Sequence, residues 1–399
     1  MRRNIVLYPW FKFFQNLIFW QAIWFLYLQD RLSGSEAVAL YAIFELSSML
    51  FEVPSGYASD RLGRRKTLIT AALCGLAAAT LQINAESFAV FAFAQVLLGA
   101  CFAFASGTDS ALLYESLAAE GREDEVERHE LSAWRFTFGA LMTSALVGGL
   151  AAWIDFAIAY VLTAAAFAGM CLVAVNLREP PHERRRTGAR EDWKALRDAF
   201  RTPALVWLFI LFAAIHIFGH IGFVYGQPFL LDAMAQVGLE DETPLVSAGI
   251  LAVMLGLSLV ASLGVEPVRQ RLRLSVVLIV AFVVQLSIPA ALALSGASLI
   301  VLVLLGRMLP SAFLAPLIVS RIQHDLRDRV RATFISLKSL TASFVFALTL
   351  GLTSGTLNGD GADMLSRGQI QTILAAYVFV GVLLLIALAL TARRAGIDD

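Results

Sequence analysis

Long apolar runs alternate with short polar, mostly basic stretches along the whole chain. The runs fall at roughly 5–28, 36–55, 67–83, 87–113, 131–152, 155–177, 203–230, 244–265, 274–294, 297–320, 332–354 and 370–391. Each is near the ~20 residues a helix needs to cross a ~30 Å hydrocarbon core. Barrel strands would be half as long and alternate in polarity, and no such pattern occurs. The pattern predicts an all-α membrane protein of twelve transmembrane helices. The longest internal connection, 178–202, divides them into six and six, giving a first bundle over 1–177 and a second over 203–399. Within that linker, Trp193, Leu196 and Phe200 share a face, which describes a short amphipathic helix at the membrane surface.

Composition supports this reading. Of the 399 residues 58% are hydrophobic and only 16% charged, against roughly a quarter charged in a soluble domain. The formal net charge is zero, so bulk electrostatics offers nothing to a nucleic acid. Placing the N-terminus inside puts 25 of the 31 Lys and Arg residues in cytoplasmic loops, with only Arg31 and Arg367 in outside loops. Under the positive-inside rule both termini are cytoplasmic, in the cell (inner) membrane. Lys12 interrupts the first run and no cleavage site follows, so that run is a retained span rather than a signal peptide. Cys74, Cys101 and Cys171 lie inside apolar runs as small hydrophobes.

Between the second and third runs stands Gly56-Tyr57-Ala58-Ser59-Asp60-Arg61-Leu62-Gly63-Arg64-Arg65-Lys66. The two glycines suit a tight reversal, and Asp60 among four cations can cap a helix or pair with an arginine. The stretch resembles the loop between helices 2 and 3 of the major facilitator superfamily, G-x-x-x-D-R-x-G-R-R-x, at every fixed position. The halves also echo one another: Leu97-Leu98-Gly99 matches Leu304-Leu305-Gly306, and Arg128 with Arg135 matches Arg331 with Lys338. Such echoes fit two pseudo-symmetric bundles around a central cavity.

Charges within spans are costly, at least ~2.5–3.5 kcal/mol on insertion scales, and mark partners or water-filled paths. Here they are Lys12, Glu45, Glu52, Asp109, Arg135, Arg307 and Lys338, joined by His216 and His220. The resemblance implies that spans 1, 4, 7 and 10 line the cavity and 2, 5, 8 and 11 flank it, and all these residues fall on those spans. Burial disfavours a charged carboxylate, so mid-span Glu45 suits reversible protonation; a fixed pair with a cation such as Lys338 is the alternative. Asp109, His216 and His220 are further proton-coupling candidates. The two histidines stand one helical turn apart, as a metal site or a proton relay requires, but no nearby cysteine or carboxylate completes a metal site. Lys12 and Arg307 could bind an anionic group, neutralise Glu45 or snorkel, and the aromatic first span (Tyr8, Trp10, Phe14, Trp20, Trp24, Phe25) could stack on a flat apolar substrate or form part of an interfacial belt.

The resemblance further implies an inner gate in which loop arginines pair with a carboxylate ending span 4. Its members here would be Gly56, Asp60, Arg61, Gly63, Arg64 and Arg65, with Glu52, Glu115, Arg135 and Lys338, and Asp109 as an alternative to Glu115. Asp109, Glu115 and the stretch Arg331–Lys338 look like compact bacterial drug–proton antiporters. Two positions depart from that group: Gln95 stands where an arginine is common, and the glycine–proline motif of span 5 survives as Ala140, Ser144, Ala145, Gly148 and Gly149. Gln95 and Tyr225 join Lys12 and Arg307 as substrate-cavity candidates. The chain carries no nucleotide-binding loop and no catalytic constellation. The expected molecule is a monomeric transporter of a small molecule, working by alternating access without a cofactor. Proton-driven export is the first reading; the alternatives are uptake of an organic anion and, from another class, a non-transporting receptor or scaffold.

Overall fold

The computed structural model describes residues 1–181, 197–263, 265–294, 300–310, 317–318, 321, 328–357 and 367–397. These residues are almost wholly helical, and nine of their helices are long and apolar enough to cross a bilayer. The chain divides into two compact units, Met1–Arg185 with Asp241–Gly249, and Arg186–Glu240 with Ile250–Asp399. The expected amphipathic helix lies outside the described residues up to position 196, as does most of the tenth span beyond 310.

The first unit begins with a broken span. A continuous helix was expected over 5–28; instead α1 (Arg2–Asn16) stops and α2 (Trp24–Gln29) restarts after an irregular stretch. A bilayer offers no water to freed backbone groups, so such a break survives only where protein satisfies them. Here the Phe19 N–H donates to the Thr163 hydroxyl at 3.0 Å, and Ser247 donates to the Ala22 carbonyl. The Asn16 side chain donates back to the Lys12 carbonyl at 2.7 Å, closing the end of α1. Gly148 makes room for the break, because a Cβ there would run into the Phe19 carbonyl.

The next helices, α3 (Gly34–Leu62), α4 (Arg64–Ile83), α5 (Phe88–Ala105), α6 (Thr108–Ala118), α7 (Val126–Ile154) and α8 (Phe156–Asn176), complete this unit. Ser33 and Glu36 cap α3 reciprocally, and Asp155 caps α8. Small residues set the packing: Gly99 of α5 lies against the Ser47–Ser48 backbone of α3, and Gly75 of α4 accepts the Phe167 ring. The fourth span, expected unbroken over 87–113, is split at Ser106-Gly107, where Gly107 has φ +71°. At ~1.5 Å per residue α3 is ~43 Å long, beyond a ~30 Å core. The helix is therefore longer than a single crossing needs. The expected loop from Gly56 is thus not a loop: Gly56 is inside α3, and the reversal is made at Gly63 alone, with φ +102°. There the Glu179 carboxylate lies against the Gly63 Cα and accepts the Arg64 and Arg65 N–H groups at 2.6 and 2.9 Å. It caps α4 with a charge of the favourable sign.

The second unit contains α9 (Pro203–Val224), α10 (Gly226–Ala235), most of α11 (Thr243–Leu263), α12 (Val265–Arg271), α13 (Leu274–Leu294), α14 (Ile300–Leu305), α15 (Asp328–Leu357) and α16 (Arg367–Thr391). The seventh span is divided at Tyr225, between α9 and α10. Trp207 donates to the Leu388 carbonyl at 3.0 Å, joining α9 to α16, and Gly381 of α16 seats Phe218 and Leu286.

Gly148→Ala should destabilise the chain by roughly 1–3 kcal/mol through overpacking, whereas Gly139→Ala, which meets open space on the same helix, should change it by less than ~0.5 kcal/mol. Glu179→Ala should cost about 1 kcal/mol through the lost cap. Thermal unfolding of the purified protein in detergent measures all three.

Candidate functional site

In the first unit, α1, α3, the α5–α6 break and α7 surround a cavity of about 570 Å³. Each helix contributes polar groups at helical spacing: Lys12, Gln15 and Asn16 from α1, Ser48 and Glu52 from α3, and Glu130 and Thr137 from α7. The interrupted α5–α6 span adds Ser106, Asp109 and Ser110, with Phe102 and Trp134 as aromatic walls. The wall therefore holds three carboxylates and one cation.

Gly107 releases the backbone so that α6 starts at Thr108 and places Asp109 in its first turn, where a negative charge is favoured. Asp109 is buried; one carboxylate oxygen accepts the Ser110 N–H at 2.7 Å and the other accepts Lys12 Nζ at 2.6 Å. Lys12 keeps 26% of its side chain exposed to the cavity. One turn earlier on α1, the Tyr8 hydroxyl donates to Glu130 at 2.9 Å. Tyr8 and Lys12, spaced i, i+4, thus each hold a carboxylate, Glu130 and Asp109, from one face of α1. Asp109 pairs with Lys12, not with the arginines of the α3–α4 turn.

Those arginines have other partners. Arg64 is bonded to Glu115 by Nε at 3.2 Å and Nη2 at 2.9 Å, and by Nη1 to Asp60 and Ser59, both at 2.7 Å. Arg64 and Glu115 are 14% and 16% exposed, whereas Asp60 is 71% exposed. The inner pair is consequently the less screened by solvent. Arg65 reaches the Val175 carbonyl at 2.8 Å, and Arg61 lies over the Tyr57 ring at 5.1 Å. Arg135 is exposed on α7. Glu45 is buried in α3, and Gln95 is buried in α5 outside the cavity wall.

In the second unit, the His216 and His220 rings meet at a tilt of 34° with centroids 4.2 Å apart. His220 Nδ1 is 2.7 Å from the His216 carbonyl, which can only accept, so the proton is on Nδ1. Lys338 is buried with its ammonium 3.3 Å from the centre of the Phe212 ring. The Arg307 stem packs on Gly222 and its guanidinium lies 5.2 Å from the Phe223 ring centre. Tyr225 is buried, with its hydroxyl 3.0 Å from Thr353.

Several aromatic residues of the first span have structural work. Trp20 stacks on Tyr160, Phe14 covers Gly169, and Trp24 and Phe25 are buried, so Phe102 and Trp134 supply the cavity rings instead. The sequence reading missed Tyr8 as a hydrogen-bonding group, Glu130, Glu179 and Asn4. A stripe at 130, 134, 137 and 141 on one face of α7 was the available signal for Glu130. Asn4, fully buried, holds the Arg178 backbone through both N–H and carbonyl at 2.8 Å and also donates to Ser116 at 2.8 Å. No local pattern announces it.

Solved structures share this fold across nearly the whole chain. A mutant of the nucleoside transporter NupG aligns with a TM-score of 0.78 at 13% identity, over 96% of this chain and 98% of the other. The peptide transporter POT in complex with sulfate gives 0.73 at 14% identity, over 100% and 96%. A D-xylose–proton symporter gives 0.67 at 12% identity, over 96% and 95%. No curated protein matches. The family description Major Facilitator Superfamily fits residues 10–350. The chain therefore belongs to the major facilitator superfamily, as a multi-pass membrane transporter and not an enzyme.

Proposed function

We propose that this secondary transporter exports a cationic, amphipathic small molecule in exchange for protons. The charge of the cavity wall supports the reading: Glu52, Asp109 and Glu130 face a single cation, Lys12, which Asp109 already holds. A wall of that sign attracts a cation, and Phe102 and Trp134 offer rings to its apolar part. Uptake of an organic anion would need Lys12 to leave Asp109 and would bring the anion among three carboxylates. In the export cycle Asp109 and Glu45 take up and release the proton, and the Arg64–Glu115 pair steadies the inner end of the first bundle. The bundles are 1–177 and 203–399, the protein acts as a monomer in the inner membrane with both termini cytoplasmic, and the proton gradient supplies the energy.

Proton movement in proteoliposomes carrying an internal pH dye tests this. Tetraphenylphosphonium should trigger proton flux in the unsubstituted protein and none in Glu45→Gln, with Asp109→Asn at least tenfold slower. Flux triggered by an organic anion and lost in Lys12→Ala would replace the proposal by anion uptake, and substrate movement without proton flux would remove proton coupling.

The Lys12–Asp109 pair has its own check. Removing one partner of a fully buried pair costs roughly 3–5 kcal/mol; with Lys12 26% exposed, Lys12→Met should cost about 2–3 kcal/mol. Adding Asp109→Asn should recover most of the loss. A thermal-unfolding double-mutant cycle gives the coupling, and additive losses would show that the pair is not a stabilising unit.

A further inference from the structure

On the outer face of the first unit, α1 and α8 run antiparallel and leave a groove between them of about 390 Å³. Its walls are Leu7 and Phe14 from α1 and Gly169, Leu172 and Val173 from α8, and its rim is Arg3 and Asn176. From Leu7 to Phe14 is seven residues, or ~10 Å of helix, two turns deep from the rim. Gly169 creates the inner end: a side chain there would meet the Phe14 ring at 2.6 Å, so the ring lies flat against α8 as the floor. The surrounding surface is apolar and outward-facing, with Val6 65% and Leu172 66% exposed.

The rim carries one charged residue, Arg3. Arg3 donates to the Asn176 side chain, and Arg65 donates to the Val175 carbonyl at 2.8 Å. Two guanidiniums are thereby fixed over consecutive residues at the last turn of α8, where exposed helix carbonyls favour cations. Arg3 is exposed, and of the five N–H donors on its guanidinium the bond to α8 uses one; the Arg65 Nε is buried. An apolar slot two turns deep, closed below by an aromatic ring and with Arg3 at its rim, is complementary to an anionic headgroup carrying an acyl chain.

We propose that this groove is a binding site for an anionic phospholipid of the leaflet that meets the Arg3 end, with the phosphate on Arg3 and one acyl chain between Leu7 and Leu172. A lipid lodged between these walls would brace α1 against α8. This site is independent of the transported substrate and of the direction of transport.

Thermal unfolding of the full chain, delipidated in detergent, tests it with dioleoylphosphatidylglycerol, dioleoylphosphatidylcholine or inorganic phosphate added. Phosphatidylglycerol should raise the midpoint by several degrees and phosphatidylcholine by less than half as much. Arg3→Gln should remove the difference between the two lipids, Arg3→Lys should keep most of it, and Leu172→Trp, which fills the groove from an exposed position, should reduce the response to both. Equal shifts with the two lipids, an undiminished difference in Arg3→Gln, or the same shift from phosphate alone would overturn the proposal. Native mass spectrometry of the same samples counts bound lipid, so a variant that folds poorly can still be scored.

Discussion

Everything in the first unit answers to one constraint: inside a bilayer, a polar group must find its partner within the protein. Hydrocarbon supplies no water to finish a hydrogen bond or to screen a charge. The chain nevertheless interrupts two spans and places an aspartate and a lysine among them. Each interruption is matched by a specific donor or acceptor. Thr163 takes the Phe19 N–H at the first break. At the second, Asp109 takes the Ser110 N–H and the Lys12 ammonium on its two oxygens. The breaks and the charges form one arrangement, because the gap at Gly107 lets Asp109 sit at a helix start, and α1 ends just after it has presented Lys12.

This arrangement gives the cavity its character. Intact helices would offer side chains alone, whereas broken ones also offer oriented helix ends. With Asp109 neutralised by an internal cation, the wall can hold charge without an ion from solution. The Arg64–Glu115 contact is a different device. It is shielded, bonded through two guanidinium nitrogens, and placed beyond the cavity, where it joins the start of α4 to the end of α6.

The fold was legible because its determinants are local. Runs of ~20 apolar residues, basic loops and the G-x-x-x-D-R-x-G-R-R pattern each act within a short window. The breaks were not legible. A span with a gap at Asn16 or Ser106 has the same hydropathy as one without, and what stabilises the gap comes from Thr163, 144 positions away from Phe19. Gly56 and Gly63 were read as equal partners in a turn, but only Gly63 carries the positive φ, and the carboxylate that lies against it comes from position 179. Apart from Glu130, the charged residues of the site were found from their cost in the membrane. Their pairing was not, since choosing between Lys12 and the arginines for Asp109 depends on where α6 begins. Hydroxyl and amide groups such as Tyr8 and Asn4 escaped because they are inexpensive enough to occur anywhere.

The clamp that Asn4 places on the Arg178 backbone brings the beginning of the first bundle and its exit to the same point. With the Glu179 carboxylate on the Gly63 turn, the six spans form a closed circuit rather than an open string. In such a circuit the order of the spans along the chain is separable from their arrangement in space. The bundle could be opened at another loop, such as the Ile83–Phe88 connection, and rejoined across Asn4 and Arg178 by a short link, preserving every neighbour while changing which helix is made first.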